Sequence, residues 1–399
     1  MKVLMLSIDP LIFEEGSEVR ERMKEYGTLF DDLRVIVYTH PGYAEEELAQ
    51  NVRIYPTNTG LKFSYFFKAF SLGRRILKEG GYKKNDAVIT SQDAMTNIAG
   101  FLLRAFTGIS LQVQIHTDFL SPNFKKESFK NSMRYRLYRW SARHADCVRV
   151  VSERLKASLE GKFRIHEWRI SVLPIFVDGE AIRNAVPSTK VHDKYPSYDF
   201  IILMASRVTT EKNIDMACLA MREVIKKFPR TLLLVVGDGP EKNRLKDLYG
   251  TTPQRPVSFD DATEEKPFDG PMVIFEDAVP YETLLSYYKT ADMFLVTSNY
   301  EGYGRTILEA LASGLPVFSA DVGIAREAIR INETGRIFPV GNSRNLADIL
   351  IKVFYEFENY NLMRLRTKEL SKTLLASSKS EYLESFRQSL VTCGSAPRN

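Results

Sequence analysis

Residues 293–316 read MFLVTSNYEGYGRTILEALASGLP. The apolar run 293–297, bounded by a polar turn, has the length and composition of a buried strand. The turn holds Gly302 and Gly304, and helical spacing of apolar residues begins at Arg305. Strand, glycine turn and helix in that order bring the N–H groups and positive dipole end of a helix to the carboxyl edge of a sheet, which suits an anion. Glycine lets a phosphate approach the backbone closely. Glu301 lies in the turn, and Glu309 sits in the otherwise apolar run 306–315, where a carboxylate needs partners. The two acids flank the anion position, suited to accept hydrogen bonds from sugar and ribose hydroxyls. A solvated glutamate pair on a packing turn is the plainer alternative at this point.

The same alternation extends in both directions. Strands are expected at 3–8, 33–39, 52–55, 87–90, 111–116, 147–152 and 170–174, with helices near 15–31, 64–78, 94–106, 128–142 and 153–159. A polar segment with Pro187 and Pro196, residues 185–199, reads as a linker. Strands then resume at 200–205, 232–236, 272–275, 293–297, 317–319 and 336–339, with helices at 213–227, 241–249, 281–291, 305–313 and 345–358. Such alternation implies parallel sheets covered on both faces. The expected fold class is α/β with two doubly wound, Rossmann-like domains: 1–185, 199–375, and a C-terminal helix in 376–399 that packs back on the first. Residues 250–271 are polar and proline-rich and read as a surface loop.

Composition sets the outer limits. The 399 residues are 44% hydrophobic and 26% charged, as in ordinary globular proteins. No apolar run approaches the roughly 20 residues of a membrane span. Three scattered cysteines, Cys147, Cys218 and Cys393, argue against a disulfide framework or a cysteine metal site. The N-terminus reads as a first strand rather than a signal peptide, and a cytoplasmic location is expected. Of the net charge of +5, residues 1–185 carry +6 and the remainder −1, and residues 121–143 hold seven Lys/Arg against one acid. There Phe129, Met133, Leu137 and Trp140 recur at helical spacing. That stretch and 63–75, FSYFFKAFSLGRR, could touch an anionic membrane, although an amphipathic helix whose apolar face is core is the plainer account. No recognition motif for nucleic acid accompanies the charge, and none is expected as a partner.

Other strand ends carry polar groups. ASRVTTEKN, 205–213, places Arg207 and Lys212 in a loop suited to a diphosphate, with a solvated charged turn as the plainer alternative. VVGDGP, 235–240, has Gly237 and Gly239 but no third glycine, so it is a poor dinucleotide fingerprint and reads first as a tight turn, with backbone contacts to a base or ribose as the alternative. QIHTDF, 114–119, offers His116 and Asp118, and the first turn, 7–16, ends on Gly16. Walker A, Gly-x-Ser-x-Gly, His-Glu-x-x-His and Cys-x-x-Cys patterns do not occur, which removes the P-loop NTPases, common serine hydrolases and common zinc sites.

The pair Glu301 and Glu309 with seven residues between them, followed by ASGLPV, resembles the motif of retaining glycosyltransferases of the GT-B fold. With SRVTTEKN and VVGDGP, the chain resembles glycosyltransferase family 4 across both halves. The resemblance implies two domains facing a cleft and transfer of a sugar from a UDP- or GDP-sugar to a glycan or lipid-linked acceptor, with retention. It needs no metal and no cofactor beyond the nucleotide-sugar co-substrate. Arg207 and Lys212 would hold the diphosphate, aided by the helix start at Tyr303, Gly304, Arg305 and Thr306. Glu309 would bind ribose, Glu301 would hold the donor sugar near its anomeric carbon, and His116 would lie by the transferred sugar. Asp118, Gly237 and Gly239 fall with the donor site. Gly16 would belong to the loop near the phosphate, where the family often has paired glycines and this chain has Glu15-Gly16-Ser17. A nucleotide-sugar epimerase of the same fold, or a non-catalytic sugar-nucleotide-binding protein, are the alternatives.

Overall fold

The computed structural model describes residues 1–61, 64–250, 270–375 and 378–395. Residues 251–269 of the segment read as a surface loop lie outside the described residues, as does Phe63 of the second basic stretch.

The chain divides into two units, Met1–Phe176 with Ser377–Asn399, and Val177–Ala376. The first holds β1 (Lys2–Ser7), β2 (Asp32–Val37), β3 (Glu46–Ala49), β4 (Val52–Pro56), β5 (Ala87–Ser91), β6 (Ser110–Ile115), β7 (Cys147–Val150) and β8 (Ile170–Val172). Their order is β3-β4-β2-β1-β5-β6-β7-β8. All pairings are parallel except β3 with β4, which form an antiparallel hairpin with an irregular register between Glu47 and Ala49. The second unit holds β9 (Phe200–Ala205), β10 (Thr231–Val236), β11 (Val273–Glu276), β12 (Met293–Val296), β13 (Val317–Ala320) and β14 (Gly335–Phe338). Their order is β11-β10-β9-β12-β13-β14, parallel throughout. Runs such as FIILMA and TLLLVV are buried at every position because helices cover both faces.

These orders locate the sites. In the second sheet the chain winds outward from β9 to β11 and returns to the other side of β9 as β12. Ligands of open parallel sheets bind at such a reversal, outside the strands' carboxyl ends. In the first sheet the reversal lies between β1 and β5.

Four features differ from the sequence reading. The hairpin strand β3, EELA, was not expected, since it is short, polar and at an edge. Residues 185–199 are no free linker but a strap on the second unit. There Ser188 N–H donates to Ser286 Oγ (3.0 Å), Val191 N–H to Thr290 Oγ1 (3.1 Å), and Lys194 pairs with Glu276 (2.8 Å). Residues 177–184, counted by sequence with the first half, belong to the second unit: Arg183 Nη1 donates to the carbonyls of Ser371 (3.2 Å) and Leu374 (2.7 Å). The apolar stripe of the basic helix does not form its core face. The helix Phe129–His144 buries Asn131, Tyr138, Ser141 and Ala142.

In the first unit, the C-terminal helix Lys379–Gly394 starts in a reciprocal cap between Ser378 and Glu381. It buries Phe386 and Leu390 against the core that includes Val3, Val35 and Val88.

Candidate functional site

The loops after β9 and β12 meet at the reversal of the second sheet. After β9 a single 3-10 turn, Thr210–Lys212, ends on Asn213, whose φ of +48° opens the helix Ile214–Val224. After β12 the chain passes through Glu301 to Gly304, whose φ of +92° suits glycine, and the helix Arg305–Ala312 begins. The loops are laced together. Thr297 Oγ1 donates to the Lys212 carbonyl (2.9 Å), Asn299 N–H to the Glu211 carbonyl (2.8 Å), and Asn213 Nδ2 to Asn299 Oδ1 (3.0 Å). Lys212 Nζ thereby comes to 2.5 Å from Glu301 Oε1, with both side chains 17% exposed. Ser298 Oγ donates to the same oxygen at 2.8 Å.

Neighbouring loops close in around this pair. A Cβ on Gly323, after β13, would stand 2.3 Å from the Tyr303 carbonyl oxygen, and Ile324 N–H donates to that carbonyl at 2.8 Å. Glu309, 3% exposed, finds the partners that its burial requires. Arg305 Nε lies 2.7 Å from Oε1, and Tyr281 and Tyr288 donate to the two oxygens at 3.3 Å each. Burial and the Glu309 charge push the Tyr281 hydroxyl up to about 12 and the Tyr288 hydroxyl well above its ordinary value, so both remain donors. The loops after β9 and β10 touch backbone to backbone. A Cβ on Gly237 would lie 2.0 Å from the Ser206 carbonyl oxygen, and one on Gly239 2.2 Å from that of Val208.

The structure thus gathers Lys212, Glu301, Tyr303, Gly304, Arg305, Thr306 and Glu309 around one strand–turn–helix, with Gly237 and Gly239 against the adjoining loop. Arg207, with a side chain 76% exposed, pairs at 3.0 Å with Glu211, the residue beside Lys212. Ser298, Tyr281 and Tyr288 complete the cluster and were not singled out from sequence. The spacing of the two tyrosines, two turns apart on the helix Tyr281–Thr290, is the available signal, but it reads equally as core packing.

The other candidates lie in the first unit. Gly16 follows β1, beside that sheet's own reversal, with φ +76° and open space around it. Ser17 then caps the helix Glu18–Gly27. His116 and Asp118 follow β6, one strand away from the reversal. The Asp118 carboxylate accepts the N–H groups of Leu120 (3.2 Å) and Ser121 (3.1 Å), so its visible work is to shape its own turn, and burial raises its pKa. His116 Nε2 lies 3.2 Å from Gln114 Oε1. Burial, with the Arg149 charge nearby, lowers its pKa from 6.5 to about 3, so the ring is neutral at physiological pH.

A fixed ammonium, a helix N-terminus and two braced carboxylates at one sheet edge can together hold a phosphate and two sets of hydroxyls. Among the described residues no cluster of His, Cys, Asp and Glu has the makings of a metal site, and no helix is long and apolar enough to cross a membrane.

Residues 24–181 match the family model Glycosyltransferase Family 4, and residues 199–355 match Glycosyl transferases group 1. The chain is 24% identical over 296 residues to the UDP-N-acetylglucosamine–peptide N-acetylglucosaminyltransferase GtfA subunit of Streptococcus gordonii, covering 73% of this chain and 53% of that protein. It is 38% identical over 119 residues to the alpha-monoglucosyldiacylglycerol synthase of Streptococcus pneumoniae, covering 30% of this chain and 23% of that protein. The chain thus spans about half the length of the first of these relatives or less. A sucrose-phosphate synthase from Thermosynechococcus elongatus superposes with a TM-score of 0.74 at 18% identity, covering 97% of this chain and 98% of that one.

Proposed function

The chain belongs to the family 4, group 1 glycosyltransferases of GT-B fold, and from that premise we propose that it moves a sugar from a UDP- or GDP-sugar to a glycan or lipid-linked acceptor, with retention at the anomeric carbon. The observation that carries this reading is the Lys212–Glu301 pair, 2.5 Å apart, beside a helix N-terminus at the reversal of the second sheet. Lys212 is poised to exchange its bond to Glu301 for one to the donor diphosphate. The N–H groups at residues 304–306 add to the same charge. Negative charge that grows on the phosphate as the glycosyl bond breaks is then met by groups already in place, the largest single source of catalysis in such reactions. This reading gives the leaving charge to protein groups rather than to a metal ion.

Glu301, once released, accepts from hydroxyls of the donor sugar, and Glu309, braced by Tyr281 and Tyr288, accepts from ribose hydroxyls. In the retaining step the bond from C1 to the phosphate oxygen breaks, and the acceptor oxygen bonds to C1 on the same face. The acceptor's proton passes to the departing phosphate oxygen. The names of two relatives, a peptide N-acetylglucosaminyltransferase subunit and a diacylglycerol glucoside synthase, support a UDP-linked donor and an acceptor that is a polymer or a lipid. Three buried free cysteines support the cytoplasmic placement included in this proposal. Peripheral contact with the inner face of the membrane completes it.

The test is incubation with a panel of UDP- and GDP-sugars, reading nucleoside diphosphate release. Slow release from one donor is expected. Replacing Lys212 with Ala should lower turnover by about 10²-fold or more, while the melting temperature stays within a few degrees. Near-normal release by that variant rejects the role of Lys212, and clean conversion of a donor to its isomer makes the protein an epimerase.

A further inference from the structure

The chain has two tryptophans, Trp140 and Trp168, and both line one hollow of about 350 Å³. They are 43 and 46% exposed. Trp140, near the end of the helix Phe129–His144, packs between Phe101 and His144, with ring centroids 4.3 and 5.4 Å away. Trp168 stands in the single turn Glu167–Arg169 before β8. The next residue, Arg169, donates to the carbonyls of Arg143 (3.1 Å) and Ala145. Backbone at the end of one tryptophan's helix is thus tied to the other's neighbour. Trp168 and Arg169 also line a second hollow, of about 300 Å³, between β8 and the helix Lys379–Gly394. The two hollows therefore form one groove with Trp168 at its middle.

The groove lies at the amino ends of β7 and β8, where Cys147 and Ile170 line it. His116 is at the opposite edge of the same sheet, past the six residues of β6, or roughly 20 Å away at about 3.3 Å per residue. The charges along the groove already have partners. Arg104 grips Asp146 with Nε (2.6 Å) and Nη2 (2.8 Å), Arg169 is spent on carbonyls, and the Arg143 guanidinium lies 5.4 Å from the Phe163 ring. What stays open is uncharged. Gln388 and Thr392, four apart on one face of the last helix, are exposed. Neither of them, and neither indole N–H, is bonded to a protein group among the described residues. His144 Nδ1 lies 2.8 Å from the Trp140 carbonyl, which can only accept, so Nδ1 carries the proton and Nε2 of the neutral ring is left as an acceptor.

Aromatic plates beside neutral donors and acceptors suit a ligand with apolar faces and a rim of hydroxyls. The C–H faces of a pyranose carry partial positive charge and pack on the negative face of an indole, while its hydroxyls reach groups at the ring's edge. Each hollow has the size of a small-molecule site, with a few polar groups to fix orientation. We propose that this groove binds a stretch of uncharged glycan, with sugar rings on Trp140 and Trp168 and hydroxyls bonded to the indole N–H groups, Gln388 and Thr392. It is a second carbohydrate site, on the far edge of the sheet from His116, and it holds a polymeric glycan on the protein so that its next encounter with the reacting site is intramolecular. The choice of occupant rests on the glycan-acceptor reading above, but binding here needs neither donor nor transfer.

Because both tryptophans line the groove, their emission reports its occupancy. The full chain is titrated with maltoheptaose, cellohexaose and chitohexaose, without nucleotide, and affinity is read by tryptophan emission and by calorimetry. Saturable binding of at least one of the three is expected, unchanged by salt because no charge takes part. Trp140→Ala and Trp168→Ala should each weaken it about 10-fold, and Trp168→Phe, which keeps an aromatic face, by no more than about 3-fold. Gln388→Ala, at an exposed position that leaves the melting temperature unchanged, should weaken it about 5-fold; this variant carries the test if an alanine at either tryptophan lowers the melting temperature. The proposal is overturned if none of the three sugars binds while UDP or GDP still raises the melting temperature, an outcome that leaves the donor site standing. Equal affinity of wild type, Trp168→Ala and Gln388→Ala also overturns it, since the sugar then sits elsewhere. Sugar binding lost in these variants, with no response to either nucleotide, supports the groove and counts against the donor reading alone.

Discussion

Gln114 sets the protonation pattern of His116. A guanidinium can only donate, so the Gln114 amide atom 2.9 Å from Arg149 Nη1 is its oxygen. That oxygen then accepts from Nε2 of His116, which leaves Nδ1 as an acceptor. The imidazole is thus presented as a neutral hydrogen-bonding group. A consequence for stability follows from its lowered pKa. The unfolded chain takes up a proton near 6.5, whereas the folded ring resists until about 3. The contribution of His116 is therefore complete above pH 6.5 and is lost progressively as pH falls toward 3. Denaturant titrations at several pH values, read by tryptophan emission, should show wild type weakening between pH 7 and 5. In His116→Asn the slope of stability against pH should be smaller by close to one proton; an unchanged slope contradicts the assignment. Lys212 and Glu301 were each legible in the sequence as charges at strand ends, although 89 positions separate them. Their pairing was not, because it depends on three hydrogen bonds between loops. Ser298, Tyr281 and Tyr288 escaped for a related reason: a hydroxyl that braces a carboxylate looks, in sequence, like any other turn or helix residue.

At the scale of elements, the buried strands were the most legible parts, because a strand covered on both faces must be apolar throughout. What the pattern missed is held by polar contacts with distant residues. The strand β3 exists by pairing with β4, and the strap 185–199 by bonds from Ser188, Val191 and Lys194 to the second unit. The stripe of the helix Phe129–His144 misled in the opposite way: its spacing is that of a core face, but its core face is made by Tyr138, Ser141 and Ala142. The turn VVGDGP was legible as a turn, and the structure supplies its physical reason. Gly239 stands where a Cβ would lie 2.2 Å from the Val208 carbonyl oxygen and 2.6 Å from its carbon, both backbone atoms that cannot rotate away. Gly239→Ala must therefore push apart the loops after β9 and β10. A loss of about 1–3 kcal/mol is expected, seen as a fall in melting temperature of roughly 2–10 °C. Because residues 206–212 move with that loop, the affinity for nucleoside diphosphate should fall with it. A stable variant with unchanged affinity would show that the contact between these loops does not position Lys212.

On the scale of the whole molecule, the chain leaves the first unit at Phe176 and re-enters it at Ser377, so its last helix stabilises the domain built by its first residues. Phe386 is fully buried there, stacked on Tyr26 with ring centroids 4.1 Å apart and edge-on to Phe30 at 6.1 Å. The Arg149 guanidinium lies 5.2 Å from its ring, and three residues on, Ser389 accepts from Gln112 Nε2 through its carbonyl at 3.0 Å. Truncation of such a ring leaves a cavity among rigid strands, and Phe386→Ala should cost about 3–5 kcal/mol, a large share of a domain's stability. The two tryptophans, Trp140 and Trp168, both lie in the first unit, so tryptophan emission follows that unit alone. In guanidinium titrations the tryptophan-detected midpoint of Phe386→Ala should fall clearly. The rise in melting temperature produced by a nucleoside diphosphate, bound by loops of the second unit, should persist below that transition. If the tryptophan midpoint is unmoved while nucleotide stabilisation disappears, the last helix serves the second unit, and the division of the chain described above is wrong.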